Sequence, residues 1–190
     1  MKINKGLREY INDIDLLRNL VRYQTAPRVS SETVAEHSFF VVAYVLKLND
    51  IYDFDLNKAM MMATLHDYAE AFISDVPHNI KKNFPNLEKE IIKSENEIME
   101  KHINSDFAKW VGEFNNMSSP EGLIVALADT LSVISYAKYE MGLGNSKYMR
   151  DVLDDGIRRA YKLYEKCKQY EKSHDENKSV MQEILDFYHA

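Results

Sequence analysis

The chain has 190 residues, 45% apolar and 28% charged, with six Gly, four Pro and a single cysteine, Cys167. That length can bury a sizeable core unaided, and one cysteine excludes an internal disulfide and points to a reducing, cytoplasmic setting. A formal net charge of −6 argues against broad nucleic-acid binding, and no uninterrupted apolar run approaches the ~18 residues of a membrane span.

Residues 7–23 set Leu7, Tyr10, Ile11, Ile14, Leu17, Leu20 and Val21 at helical spacing, with charges throughout that are not those expected of a signal peptide. Pro27, Ser30 and Ser31 interrupt the pattern. Thr33 and Glu36 then form a capping box for the helix TVAEHSFFVVAYVLKL, which puts His37 in its first turn. Asp55 is placed to cap a helix over about 56–73, SDVPHNIKKNFP reads as a loop, and 87–103 reads as an amphipathic helix. FAKWVGEF is a short helix. Ser119 caps another, with Pro120 at its first position and its end near Gly142. Residues 147–171 and 177–188 carry two further helical patterns. With strand-like alternation scarce, the expectation is an all-α bundle, residues 1–190 forming one domain. Its core spans about 16–150, and C-terminal helices over 147–190 pack on it.

Asp129 sits in LIVALADTLSVIS, a helix apolar on nearly every side, and a buried carboxylate is costly unless paired or bound to a metal. HDYAE adds His66 and Asp67 on one edge of a helix. Glu70 follows four residues after His66 and three after Asp67, stacked one turn on, where it would reach an attacking water without being a ligand. Taken singly, each of these is more often a structural pair than a site. Together, His37, His66, Asp67 and Asp129 offer two imidazoles and two carboxylates from three helices, a donor set for one divalent ion such as manganese, cobalt, iron, zinc or magnesium. HExxH, paired Glu-x-x-His, cysteine pairs and Gly-rich phosphate loops are absent.

His37, then His66-Asp67, then Asp129 resembles the H…HD…D signature of the HD-domain phosphohydrolases, and most closely the bacterial HD-domain 5′-deoxynucleotidases. The segment from Arg22 to ETVAEHS, the block HDYAEAFISDVPHNIK and the block LADTLSVISYAKYEMGLGN carry the likeness, which covers about 16–150. The resemblance implies an all-α HD bundle, commonly a homodimer or higher homo-oligomer, acting on a small deoxynucleotide. It implies His37, His66, Asp67 and Asp129 as metal ligands and Glu70 as the residue that positions or deprotonates water. Arg22 would meet the 5′-phosphate, with Asp67, Asp75 and the Val76-Pro77-His78 turn at the nucleotide and Asp75 also among the catalytic group. Tyr23 stands where the family carries a tryptophan that senses the missing 2′-hydroxyl, and His78 where it carries a small hydroxyl residue. The expected activity is removal of phosphate from deoxyribonucleoside 5′-monophosphates. Cleavage of deoxynucleoside triphosphates is the alternative if Arg28, Lys81 and Lys82 face the site, and a non-catalytic helical binding protein is a distant third. His102, His174 and His189 read as surface residues, Met60-Met61-Met62 as core filling and Cys167 as unreactive.

Overall fold

The computed structural model describes residues 6–172, with Gln182 and Asp186 beyond them; of His78, Asn79 and Lys82 it describes the backbone alone. The helices in chain order are α1 (Leu7–Asn19), α2 (Val34–Leu48), α3 (Leu56–Leu65), α4 (Glu70–Ile73), α5 (His78–Asn83), α6 (Pro85–His102), α7 (Ser105–Asn116), α8 (Pro120–Gly142) and α9 (Ser146–Cys167). A 3₁₀ turn, Lys168–Tyr170, follows. Among the described residues there is no strand, only isolated bridges between Val21 and Thr33 and between Tyr52 and Glu171.

The starts of these helices follow local chemistry. Thr33 accepts from the Glu36 backbone N–H while the Glu36 carboxylate accepts from the Thr33 N–H, closing the capping box that holds α2. Asp55 caps α3 through the Lys58 N–H, and Ser119 caps α8 through the Gly122 N–H.

α8 is the axis, packed against α2, α3, α7 and α9. It is long and apolar enough to cross a bilayer by length and composition, but most of that apolar surface is buried inside the bundle. From Glu121 to Ser132 every residue is buried except Asp129, which is partly open. The main core runs from Val41 of α2 to Cys167 of α9. α9 approaches closely because Gly156 faces Ile134, whose Cγ1 would lie 2.8 Å from an added Cβ. A smaller cluster of Leu65, Tyr68, Met99, Ala108 and Val111 backs the turn between α3 and α4.

A buried carboxylate at the end of α8 ties down the segment that leads into α2. Glu140 accepts from the backbone N–H groups of Val29 (2.8 Å) and Ser30 (2.5 Å) and from Asn145 Nδ2 (2.7 Å). Burial would raise its pKa, but these donors outweigh burial and hold it below the usual glutamate range. Its stabilisation is therefore present above the ordinary glutamate pKa and lost as pH falls through the depressed one. Glu140→Ala strands three donors and is expected to cost about 3 kcal/mol, read as a lower urea midpoint at neutral pH that converges on wild type in acid.

The structure departs from the sequence reading at several places. The helix expected over 56–73 is broken at residues 66–69, and the expected loop after it contains α5. α1 keeps only a narrow buried face: Leu17 is buried and Leu7 and Ile11 are exposed, because it packs on α2 and α4 from one side. The last long helix ends at Cys167. The pattern at 177–188, and with it His174 and His189, lies outside the described residues apart from Gln182 and Asp186.

Candidate metal centre and active site

His37 is in register with the buried face of α2, Val34, His37, Val41, Val45 and Leu48, so the packing that builds the helix carries its imidazole inward. His66 and Asp67 sit where α3 ends. There Tyr68, Glu70 and Ala71 donate their N–H groups to the carbonyls of Leu65, Asp67 and Tyr68, three residues back in each case. Such tight turns eclipse positions three apart, which stacks Glu70 over Asp67. Asp129 reaches the same point from α8.

One donor atom each from His37, His66 and Asp129 lies within 4.8 Å of the others, and Asp67 Oδ2 adjoins both histidines. His37 Nε2 lies 3.3 Å from His66 Nε2, 3.3 Å from Asp129 Oδ1 and 3.6 Å from Asp67 Oδ2, and His66 Nε2 lies 3.1 Å from Asp67 Oδ2. Adjacent ligands on an ion with bonds of about 2.1 Å lie roughly 3.0–3.4 Å apart. The ring orientation fits too. His66 Nδ1 donates to the Ala63 carbonyl (2.8 Å), which can only accept, so in the neutral ring the lone pair is on Nε2, facing the cluster. His37 Nδ1 meets Ser132 Oγ at 3.1 Å, leaving its Nε2 in the same orientation. Two imidazole nitrogens pointing at each other beside two carboxylates make a poor hydrogen-bond set and a good site for a divalent cation.

The electrostatics agree. Burial, helped by Arg22, pushes the His37 imidazole down to about 4, so it is neutral at neutral pH. His66 is also penalised by burial but raised overall by Asp67 and Asp129. Burial would raise Asp67 and Asp129, yet both are held well below the usual carboxylate range, Asp67 by His66, His37 and Arg22 and Asp129 by His37, Arg159 and His66. Glu70 goes the other way. Burial, with Asp67 and Asp75 adding to it, raises its carboxyl well above the usual range, and its Oε2 is buried without a hydrogen-bond partner.

Around this centre, Arg22 is buried and pairs with Glu32. Tyr23 has a left-handed backbone (φ 57°), its ring stacks on Tyr136 at 4.9 Å, and its hydroxyl is buried without a partner. Asp75, raised by burial, accepts a hydrogen bond from the Tyr23 N–H, which joins the Arg22 segment to the end of α4. Val76 and Pro77 are half-buried between α4 and α5, and His78 begins α5.

Sequence reasoning passed over three neighbours of the site. Ser132, three residues past Asp129 on α8, meets His37 Nδ1, Arg159 of α9 puts Nη2 3.5 Å from Asp129 Oδ2, and Glu32 pairs with Arg22. Only the ETVAEHS segment hinted at the last of these. Arg28 donates to the Tyr23 carbonyl (3.0 Å), and Lys81 pairs with Glu95 at 3.7 Å. His102 is half-buried, its ring 4.5 Å from that of Phe72, and so is not the plain surface residue expected. Met62 is in the core, and Cys167 is buried with its thiol pushed up to about 12 by burial, which leaves it inert at neutral pH.

Three known proteins resemble this chain in sequence or in fold. A 5′-deoxynucleotidase of Pasteurella multocida (strain Pm70) is 29% identical, the match covering 71% of this chain and 75% of that one. A crystal structure from Pyrococcus horikoshii OT3 is 26% identical and covers 94% of this chain and 97% of its own, with a TM-score of 0.68. The HD phosphohydrolase DatZ of cyanophage S-2L, solved with dA and one catalytic Zn²⁺, is 16% identical, with 98% and 95% covered and a TM-score of 0.61, a likeness of fold. The all-α fold is thus of the HD phosphohydrolase type. A family model for YfbR-like 5′-deoxynucleotidases matches residues 9–157, a span holding Arg22, all four converging donors and Glu70, and the chain belongs to that family.

Proposed function

We propose that this protein is a metal-dependent phosphohydrolase that removes the 5′-phosphate from deoxyribonucleoside 5′-monophosphates. The observation that carries the reading is the convergence of His37 Nε2, His66 Nε2, Asp67 Oδ2 and Asp129 Oδ1 on the same turn as the unpartnered Glu70 Oε2. Those four residues would hold one divalent cation, which supplies acidification of water and polarisation of a phosphoryl oxygen when bound. Manganese, cobalt, iron, zinc and magnesium are the candidates, and the imidazole share of the donor set favours the transition metals.

The chain's own groups then do the rest. Glu70 Oε2 takes the proton of the water that attacks phosphorus, a role suited to a buried carboxyl whose pKa is raised well above the usual range. The Arg22 N–H groups not held by Glu32 stabilise the equatorial phosphoryl oxygens. As the water oxygen bonds phosphorus the P–O5′ bond breaks, orthophosphate departs, and the nucleoside O5′ takes up the proton that Glu70 had received. Asp67, Asp75, Val76, Pro77 and His78 line the nucleotide, and Tyr23 packs against the sugar.

Charge at the site bears on the triphosphate alternative. Arg28 is engaged by the Tyr23 carbonyl, while Lys81 pairs with Glu95 and also lowers Glu70 and Asp75 from the rim. Among the described side chains this is the only lysine acting on Glu70 and Asp75, thin support for a tetra-anion. Residues 1–190 act as one unit in this reading. The protein is cytoplasmic and a homodimer, its exposed Phe39, Phe40 and Tyr139 on α2 and α8 offering the surface for self-association.

Metal-stripped protein, reloaded with manganese, cobalt or magnesium, should release orthophosphate from deoxy monophosphates. Matched ribonucleotides read whether Tyr23 excludes ribose. Release of triphosphate from deoxynucleoside triphosphates alone would replace this reading by the alternative, and no turnover with any metal would leave a non-catalytic binding protein.

A further inference from the structure

One residue fixes Arg22 twice. Its backbone N–H donates to the Glu32 carbonyl at 2.9 Å, and its Nη1 donates to Glu32 Oε2 at 3.0 Å. The first bond belongs to the bridge between Val21 and Thr33, which Val34 N–H to Leu20 carbonyl (2.9 Å) completes on the other side. Both side chains of the ion pair are mostly buried, with 13% and 7% exposed. The segment around Glu32 is itself anchored, since Glu140 holds Val29 and Ser30, and the Tyr136 hydroxyl donates to the Ser30 carbonyl at 2.7 Å.

A carboxylate on an arginine that has to bind an anion looks counterproductive. The alternatives open to that arginine explain it. Asp67 and Asp129 both act electrostatically on the guanidinium, as Tyr23 and Glu32 do. A long, mobile cation left beside two buried carboxylates would settle on them, where it would compete with a metal ion and turn its donors away from substrate. Glu32 takes one edge of the planar fork and leaves the remaining N–H groups free in a fixed direction.

We propose that Glu32 is a positioning residue for the phosphohydrolase reaction, holding the Arg22 guanidinium off Asp67 and Asp129 and aimed at the substrate phosphate. This rests on the reading of Arg22 as the phosphate contact. Glu32 touches no reacting atom and acts wholly through Arg22. Glu32→Gln keeps an oxygen acceptor for Nη1 without the charge, and Glu32→Ala removes both.

The test is a double-mutant cycle on the full chain loaded with manganese, with Glu32→Gln, Glu32→Ala, Arg22→Ala and the doubles. Steady-state hydrolysis of a deoxyribonucleoside monophosphate and calorimetric binding of inorganic phosphate are the readouts. Glu32→Ala is expected to lower kcat/KM by about 10- to 100-fold and to weaken phosphate binding by a similar factor, with Glu32→Gln recovering part of both. In the Arg22→Ala background, Glu32→Ala should change either readout by less than about twofold, since a residue acting through another adds nothing once that other is gone. Equal losses with and without Arg22, or none in either background, overturns the proposal. Melting curves separate these effects from stability, and if Glu32→Ala does not fold, Glu32→Gln alone decides by the same comparison. Should the wild type hydrolyse no nucleotide, the functional reading fails, and phosphate binding still reports whether Glu32 and Arg22 are coupled.

Discussion

Replacing Glu70 by Gln is expected to leave a folded protein that still binds its metal and releases phosphate about 10²–10⁴-fold more slowly. The side chain is nearly isosteric, and its Oε2 has no hydrogen-bond partner to lose. Removing a carboxyl that burial, Asp67 and Asp75 all disfavour as an anion also relieves repulsion, so melting temperature should hold or rise slightly. The effect should fall on kcat with little change in KM, because Glu70 moves a proton and does not grip the nucleotide. Retained kcat in Glu70→Gln would remove it from the chemistry and shift attention to Asp75.

The second large effect is thermal. Binding of the ion to the native state alone stabilises it by about 2.7 kcal/mol when free metal stands at 100 times Kd. For a chain of this size that is roughly 5–10 °C in Tm. Chelation of the wild type should produce such a drop and manganese should restore it. Asp129→Ala should abolish the response, because Oδ1 is one of only four converging donors and lies 3.3 Å from His37 Nε2. The variant also removes the Asp129 partner of Arg159 and of His37, which is left with His66 and Asp67, so its metal-free form should melt below the metal-free wild type. A full metal-dependent shift in Asp129→Ala would show that the ion binds elsewhere.

Much of this was legible in the chain because it is local or periodic. The capping box at Thr33 and Glu36, the Asp55 and Ser119 caps and the spacing of apolar groups in α2 and α8 depend on residues a few positions apart, and His37 was placed inward by the same period that buries Val41 and Val45. The order His37, His66-Asp67, Asp129, with Glu70 one turn on, marked the residues that the structure brings close together. The break at residues 66–69 was not legible, since HDYA is compatible with a continuous helix. The turn tightens there with Leu65 and Tyr68 buried beneath it and His66 Nδ1 bonded to the Ala63 carbonyl.

The sequence by itself determined the all-α class, most of the helices and the caps at Thr33, Asp55 and Ser119, because these follow from residue type and from spacing along one chain. Tertiary structure alone decided that His37 Nε2 lies within 3.6 Å of donor atoms of His66, Asp67 and Asp129, that both imidazoles turn Nε2 inward, that Glu70 Oε2 is buried without a hydrogen-bond partner, and that Glu32 holds Arg22. Those properties depend on which helices cross and on what is excluded from water between them. Residues 22 and 32, or 129 and 159, meet only because separate segments pack on α2 and α8, and no short-range pattern encodes that meeting.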